Sequence, residues 1–303
     1  MKHQKNLKNQ LKNPKKSEER ESHGRHLQKS QRRLEKERSR SLKRKKKERL
    51  KVGKKGGSRH LKRKPAPAFW PIHRKETVWT VKPNAGPHAI EHSLPLILVL
   101  REMLGLAKTR GEAVAILSQG NIIVDGTVEK NELFPTGLFD VISIPTVEKW
   151  YRVLPSEKGL TIHPISKDEA EFKLCRIENK TVLKSGNIQL NLHDGRNVTI
   201  KVKEASKPEE DVFNTLDIVK ISLPDQEIQS HFKLVEGAPA LIVGGKNIGK
   251  HGKIAAIESR EAQKRRNALI TIEDARGNRF QTTVEYVFVA GDVKPHVSLP
   301  EVA

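Results

Sequence analysis

Nearly all the net positive charge of this 303-residue chain sits at one end: residues 1–64 hold 27 lysines and arginines against 6 glutamates, and the remainder holds 31 against 30. So polar and charged a segment cannot bury enough apolar surface to offset the entropy of ordering, so residues 1–52 are expected to be disordered in the free chain. Folding is left to the nearly neutral remainder, long enough for two or three small domains. A basic, aromatic-poor arm joined to such a body points to a polyanionic partner, because lysines and arginines that meet phosphates release counterions. Nucleic acid leads. A membrane surface is the competing polyanion, but an arm made for lipid would add an apolar helical face, and none is present. The longest apolar run, Leu94 to Leu100, is broken by Pro95 and falls well short of the roughly 20 residues a bilayer needs. With no apolar core of a secretory leader near Met1, the protein is expected to be soluble and cytoplasmic. Cys175 is the sole cysteine and lies in the apolar stretch Phe172 to Ile177, which reads as a small core residue and excludes a disulfide framework.

From Gly53 the texture changes. Gly53-Lys54-Lys55-Gly56-Gly57-Ser58-Arg59-His60-Leu61-Lys62-Arg63-Lys64 leads into Pro65-Ala66-Pro67-Ala68-Phe69-Trp70-Pro71-Ile72, an arm expected to thread along a partner, with the Pro-flanked Phe69-Trp70 pair free to stack or to plug an apolar slot. Ser93 then precedes an apolar segment that predicts a helix over Leu94 to Leu104, stopped at Gly105. Thr109-Arg110-Gly111-Glu112 is a capping box opening a second helix, Ala113 to Ser118, and Asp125-Gly126 is the tight turn of a hairpin between Ile122-Ile123-Val124 and Thr127-Val128. Beyond about residue 145 the pattern is β. It includes a second Asp-Gly hairpin at Asn191 to Val198 and a strand at Ile218 to Leu223 ended by Pro224. Short strands at Leu241 to Val243, Lys253 to Ile257, Ala268 to Ile272 and Phe280 to Val289 predict a small terminal barrel.

Two features carry chemistry. In the helix-helix-hairpin, Arg101, Lys108, Arg110 and Lys130 sit at helix ends and turn tips above an expected interior of Ile97, Leu100, Leu104, Val114 and Leu117. They read either as a rigid phosphate-contacting ledge or as ordinary solvated charges. The second feature is Val243-Gly244-Gly245-Lys246-Asn247-Ile248-Gly249-Lys250-His251-Gly252-Lys253-Ile254. It mimics a nucleotide-binding loop, yet His251 stands where Ser or Thr must hold magnesium, and the following residues look extended where such a loop opens a helix. The better reading is a tight loop that directs Lys246, Lys250, His251 and Lys253 at RNA phosphates. No nucleophile-base pair and no metal-ligand spacing assembles. His88 and His92 are four apart but lack the glutamate of a metalloprotease, and the other histidines read singly as surface or packing residues.

On these motifs, Gly53 to the C-terminus resembles the small-subunit ribosomal protein four family of the archaeal and eukaryotic type. The arm through Pro71 and the junction Gly86-Pro87-His88 with Ser93-Leu94-Pro95-Leu96 are similar to the family's archaeal form. Leu94 to about Ser156 is similar to the small RNA-binding domain shared with some pseudouridine synthases and tRNA synthetases, and Gly237 to Ile257 is similar to a KOW motif. The resemblance implies a multidomain α+β protein with five parts: a basic extension (1–52), a basic arm (53–92), a helix-helix-hairpin RNA-binding domain of the alpha-L type (93–156), a β-rich central domain (157–236), and an SH3-like KOW barrel with a tail (237–303). It implies a structural, non-catalytic constituent of the small subunit that clamps ribosomal RNA beside neighbouring ribosomal proteins, without cofactor, metal or membrane partner. The implied RNA contacts are Lys54, Lys55, Arg59, His60, Lys62, Arg63 and Lys64 of the arm, Lys108, Arg110 and Lys130 of the helical domain, with Arg101 beside them, and Lys246, Lys250 and Lys253 of the glycine-rich loop, with His251 between. Family members begin near Gly53, so Val52 is the expected first residue if a GTG start codon has been read through; a lineage-specific tail is the alternative. Two other readings stay open: an RNA-modifying enzyme of the pseudouridine-synthase kind, with Asp194 its nearest catalytic candidate, and a KOW-type transcription elongation factor.

Overall fold

The computed structural model describes residues 58–184, 186–202, 211–258 and 265–300. The expectations for residues 1–57, including Lys54, Lys55 and the start at Val52, lie outside them. The described chain is mixed α and β, rich in strands and poor in helices.

The arm packs, contrary to the expectation that it threads. A two-stranded ribbon, β1 (Leu61–Lys62) and β2 (Trp79–Thr80), is closed by Arg74, whose guanidinium donates to the carbonyls of Arg63, Lys64, Ala66 and Pro67 at 2.7–3.1 Å. Trp70 is buried and its indole N–H donates to the Ser93 carbonyl at 2.9 Å, so of the two roles open to the aromatic pair the structure takes the plug. Phe69 lies over Gly159, where φ is +121° and an added Cβ would stand 2.1 Å from the Phe69 Cβ.

The first helix starts later than expected. Ser93–Pro95 forms β3, paired with β6 (Pro135–Gly137), because proline drives the residue before it into the extended region and Pro95 itself has ψ of 134°. The helix begins at α1 (Leu96–Leu98), whose first N–H groups donate to the carbonyls of Phe134 and Glu132, and runs into a π-helical turn, Val99–Met103. Gly105, at φ +63°, ends it as expected. The capping box is formed: Glu112 N–H donates to Thr109 Oγ1, and the Glu112 carboxylate accepts from the backbone N–H groups of Lys108 and Thr109, opening α2 (Arg110–Ser118). Ala113 and Leu117 face the core, but Val114 is exposed and Leu104 only partly buried, because the 3.6-residue period rotates Val114 away once Ala113 points inward.

Strands β4 (Ile123–Val124) and β5 (Thr127–Val128) flank Asp125-Gly126, both at positive φ, the geometry of a type I′ hairpin. With β7 (Val141–Ile144), β8 (Lys149–Ser156) and β9 (Gly159–Ile165) they form an antiparallel sheet ordered β5-β4-β7-β8-β9. The boundary expected at residues 156/157 falls in the turn of its longest hairpin. After a short helix, α3 (Lys167–Ala170), comes β10 (Phe172–Val182), the spine of a second sheet with β11 (Ile188–Leu192), β12 (Asn197–Ile200), β13 (Ile218–Ser222) and β14 (Ile228–Phe232), ordered β12-β11-β10-β13-β14. Side chains of β10 alternate. Phe172 and Leu174 join one core, while Cys175 and Ile177 join another on the opposite face. The third sheet, ordered β18-β17-β16-β15-β19, contains β15 (Pro239–Ile242), β16 (His251–Glu258), β17 (Leu269–Glu273), β18 (Arg279–Thr283) and β19 (Val287–Val289). Phe280 to Val289 is therefore two strands, separated by a 3-10 turn at Val284–Tyr286 that puts Val284 in the core. Phe172, Leu174, Ile218 and Phe232 share that core with Leu241, Ile270 and Phe288, so the second and third sheets are packed together.

We expect Gly159→Ala to destabilise the protein by about 1–3 kcal/mol, since it adds a clash to backbone strain. Gly277→Ala, at φ +80° with open space around the added Cβ, carries strain alone. Thermal melts should rank the two in that order, with arm residues before Trp70 more readily cleaved by protease in Gly159→Ala only.

Candidate nucleic-acid interface

The expected contact residues divide into exposed side chains and bases held by carboxylates, carbonyls or rings of the protein. Arg59, His60, Lys62, Lys64, Lys108, Lys130, Lys246 and Lys253 are exposed. Arg63 is half-buried, bonded to the carbonyls of His73 and Trp79 and paired with Glu76 at 3.3 Å. Arg101 is half-buried and pairs with Glu102 at 3.4 Å. Arg110 forms a two-pronged pair with Glu132, and the carboxylate raises its pKa. That pair ties the start of α2 to the segment just past Lys130, and it leaves Arg110 already neutralised.

The glycine-rich loop connects β15 to β16 and opens a strand. The Gly249 N–H donates to the Ile242 carbonyl and the Ile242 N–H to that of Lys250, closing a hairpin without the helix a nucleotide loop requires. A Cβ on Gly249 would lie 2.9 Å from Ser156 Cα, so the loop rests on the β8–β9 turn. Lys246 and Lys253 point outward, Lys250 Nζ sits 4.1 Å from the centroid of the Phe280 ring, and His251 is half-buried. A cavity of about 410 Å³ opens where this loop, the arm and the β8–β9 turn converge, lined by Phe69, His92, Leu160, Ile248 and Tyr286.

Behind this surface lies a buried ionic cluster that sequence reasoning missed. Lys173 projects from β10, fully enclosed, with Nζ 2.7 Å from Asp125 Oδ2, 2.5 Å from Asp140 Oδ1 and 3.2 Å from Asp194 Oδ2. Arg196 bridges Asp125 at 2.7 Å and Asp194 at 3.2 Å, and His88 Nε2 lies 3.0 Å from Asp140. The aspartates of both Asp-Gly turns thus hold one lysine, a role beyond the backbone geometry that explains the residue type. Burial alone would lower Lys173, but Asp125 and Asp140 outweigh it and hold its pKa well above the ordinary range. Burial opposes ionisation of Asp140 and Asp194 too, and Lys173 reverses the balance, keeping both carboxyls low. At Asp125 burial prevails over Lys173 and raises the carboxyl. Burial and the nearby Lys173 lower His193 to about 4. Its hydrogen bonds agree: Nδ1 accepts from the Arg176 N–H at 3.2 Å and Nε2 donates to the Leu138 carbonyl at 3.3 Å, which only a neutral ring can do. Cys175, His193 and Asp194 bring ligand-type atoms within 4.8 Å of one another, yet Asp194 already faces the Lys173 ammonium and burial holds the thiol protonated. The sequence signal was there: a lysine between Phe172 and Leu174 in an apolar strand must be buried with partners or the strand must be an edge.

A model described as Ribosomal family S4e matches residues 147–228, and one described as the RS4NT (NUC023) domain matches residues 55–91. The chain is 49% identical over 251 residues to a protein of Desulfurococcus amylolyticus named small ribosomal subunit protein eS4, covering 82% of this chain and 99% of that one. It is 49% identical over 247 residues to the protein of the same name from Aeropyrum pernix, covering 81% and 97%. The crystal structure of the 30S ribosomal protein S4e from Thermoplasma acidophilum superposes with a TM-score of 0.54 at 28% identity, covering 66% of this chain and 96% of that one. The chain belongs to the S4e family of ribosomal proteins.

Removing the ammonium in Lys173→Met leaves three aspartates enclosed together, and we expect a loss of about 3–5 kcal/mol, read by urea denaturation at pH 7. A histidine whose folded pKa lies below its unfolded 6.5 favours the fold only while neutral, so its contribution is complete above pH 6.5 and disappears as pH falls to about 4. Asp125, raised by burial, works in the opposite direction. Unfolding free energies at pH 7 and 4.5 should therefore show a decrease on acidification that is reduced in His193→Gln.

Proposed function

We propose that the protein is a structural constituent of the small ribosomal subunit, cytoplasmic, that binds and stabilises folded ribosomal RNA beside neighbouring ribosomal proteins. In this reading the helix-helix-hairpin is the RNA-binding domain, the sheet built on β10 is the central domain, and the sheet from β15 to β19 with its glycine-rich loop is a KOW barrel. The names of the relatives support the ribosomal role. The observation that carries the RNA reading is the placement of charge: exposed lysines stand on the ribbon (Lys62), just before α2 (Lys108), just past the first hairpin (Lys130), on the glycine-rich loop (Lys246) and on the strand it opens (Lys253), while the enclosed Lys173 is paired with aspartates. Cations fixed on a folded frame register a phosphate backbone without choosing a base sequence.

The enzymatic alternative asks Asp194 to act on a base. That carboxylate is 2% exposed and faces Lys173 and Arg196, so no substrate reaches it without dismantling the cluster. The family is one of ribosomal structural proteins, which favours neither catalysis nor an elongation-factor role.

Filter binding to small-subunit ribosomal RNA between 50 and 200 mM salt should show affinity falling by several decades. Lys246→Ala and Lys253→Ala should each reduce the salt slope by about one while weakening binding evenly across RNA sequences. In a sucrose gradient the wild-type chain should travel with small-subunit particles; migration with RNA polymerase would overturn the reading.

A further inference from the structure

We propose that Trp79 is a stacking platform for an unpaired nucleotide of RNA, a site distinct from the phosphate-contacting lysines and one that deepens the RNA-binding reading on which it rests. Trp79 is 55% exposed on β2, beside Val78 at 60%, in a chain whose Trp70 is 3% exposed. Its hydrogen bonds are made by the backbone: the carbonyl accepts from Arg63 Nε and Thr77 Oγ1, and the residue pairs in register with Lys62. The indole joins none of the apolar cores among the described residues.

What surrounds the ring selects the occupant. Lys62 Nζ lies 5.7 Å from the ring centroid, and the His60 ring meets it edge-on at 5.7 Å and 60°. Lys64 and Lys75 are exposed on the same arm, and the nearby carboxylate of Glu76 is paired with Arg63. An apolar partner protein would find this collar unfavourable to desolvate. A nucleotide presents the complement: a base face for the indole and a phosphate for Lys62. The ribbon is held by the Arg74 carbonyl bonds, so the platform is formed before the ligand arrives. The sequence favours Phe69-Trp70 for this role because proline isolates that pair, but the plug buries it and leaves Trp79 as the arm's solvent-facing tryptophan.

The test uses the full chain with two probes, small-subunit ribosomal RNA and a 12-nucleotide oligoadenylate. Trp79→Ala should bind the oligoadenylate about 5- to 150-fold more weakly, the range expected for loss of one base stack, with an unchanged salt slope. Trp79→Phe should keep most of the affinity. Wild-type tryptophan fluorescence should be quenched by the oligoadenylate, and that quenching should vanish in Trp79→Phe, a readout that does not require the alanine variant to fold. Equal affinities for Trp79→Ala and wild type, with ordinary salt-dependent binding to ribosomal RNA, would end the stacking proposal and leave the RNA reading standing. Failure of the wild-type chain to bind ribosomal RNA at low salt would end the parent reading. Normal RNA affinity in Trp79→Ala with defective entry into small-subunit particles would assign the patch to a neighbouring protein and overturn the proposal.

Discussion

A single ammonium group organises the body of this protein. Lys173 reaches from the spine of the second sheet to aspartates on the turn of the first hairpin, on the segment entering β7, and on the turn of the second hairpin. Two charges taken out of water gain little net stability from each other, but removing one strands the rest, so an enclosed cluster of this kind specifies geometry more than it adds stability. Lys173 and Arg196 each bridge the two hairpin turns, through Asp125 and Asp194. The Asp140 carboxylate extends the same constraint to the arm: it accepts the Gly137 N–H at 2.8 Å and faces the ring of His88, which lies so close to Gly137 that an added Cβ would be 2.3 Å away.

This constraint governs what the surface can do. Among the described residues three aspartates (Asp140, Asp194 and Asp217) and two bases (Arg152 and Lys173) are buried, so the interior removes acids and bases in nearly equal number and the body's surface stays close to neutral. Long-range attraction to a polyanion must then come from residues 1–64, where the excess of positive charge lies. The body contributes position. Its exposed lysines, among them Lys108, Lys130, Lys246 and Lys253, stand on a folded frame, and in the proposed reading cations so held register a phosphate backbone without selecting a sequence.

What could be read from the sequence was local. The capping box at Thr109, the two Asp-Gly turns and the stop at Gly105 depend on a few adjacent residues, and all of them form. What could not be read was what packing decides. Pro95 keeps Leu94 extended and β6 then pairs with it; Val114 looks buried until packing turns Ala113 inward and sets the phase of α2; Phe280 to Val289 looks like one strand until Val284 turns into the core. Charge counting names the basic residues but not their states, since it cannot tell that Glu132 occupies Arg110 or that Phe280 lies beneath Lys250. Lys173 was the largest omission, because two of its three partners, Asp140 and Asp125, are 33 and 48 positions away along the chain.

The arm shows why that distinction matters for binding. A segment of prolines, glycines and cations invites the picture of a loose strand that orders only on its partner, with the ordering entropy set against every contact it makes. From Leu61 to Val81 the chain instead has Trp70 seated in the core, Phe69 against Gly159 and Arg74 gathering four carbonyls, so most of that entropy is already lost on folding. In the proposed reading, a contact made by Lys62 or Trp79 would therefore reach the partner with little deduction, so that a weak surface interaction could be a usable one. The same preorganisation limits reach: Trp70 and Phe69 fix the described arm beside the first sheet, so a partner would have to arrive there.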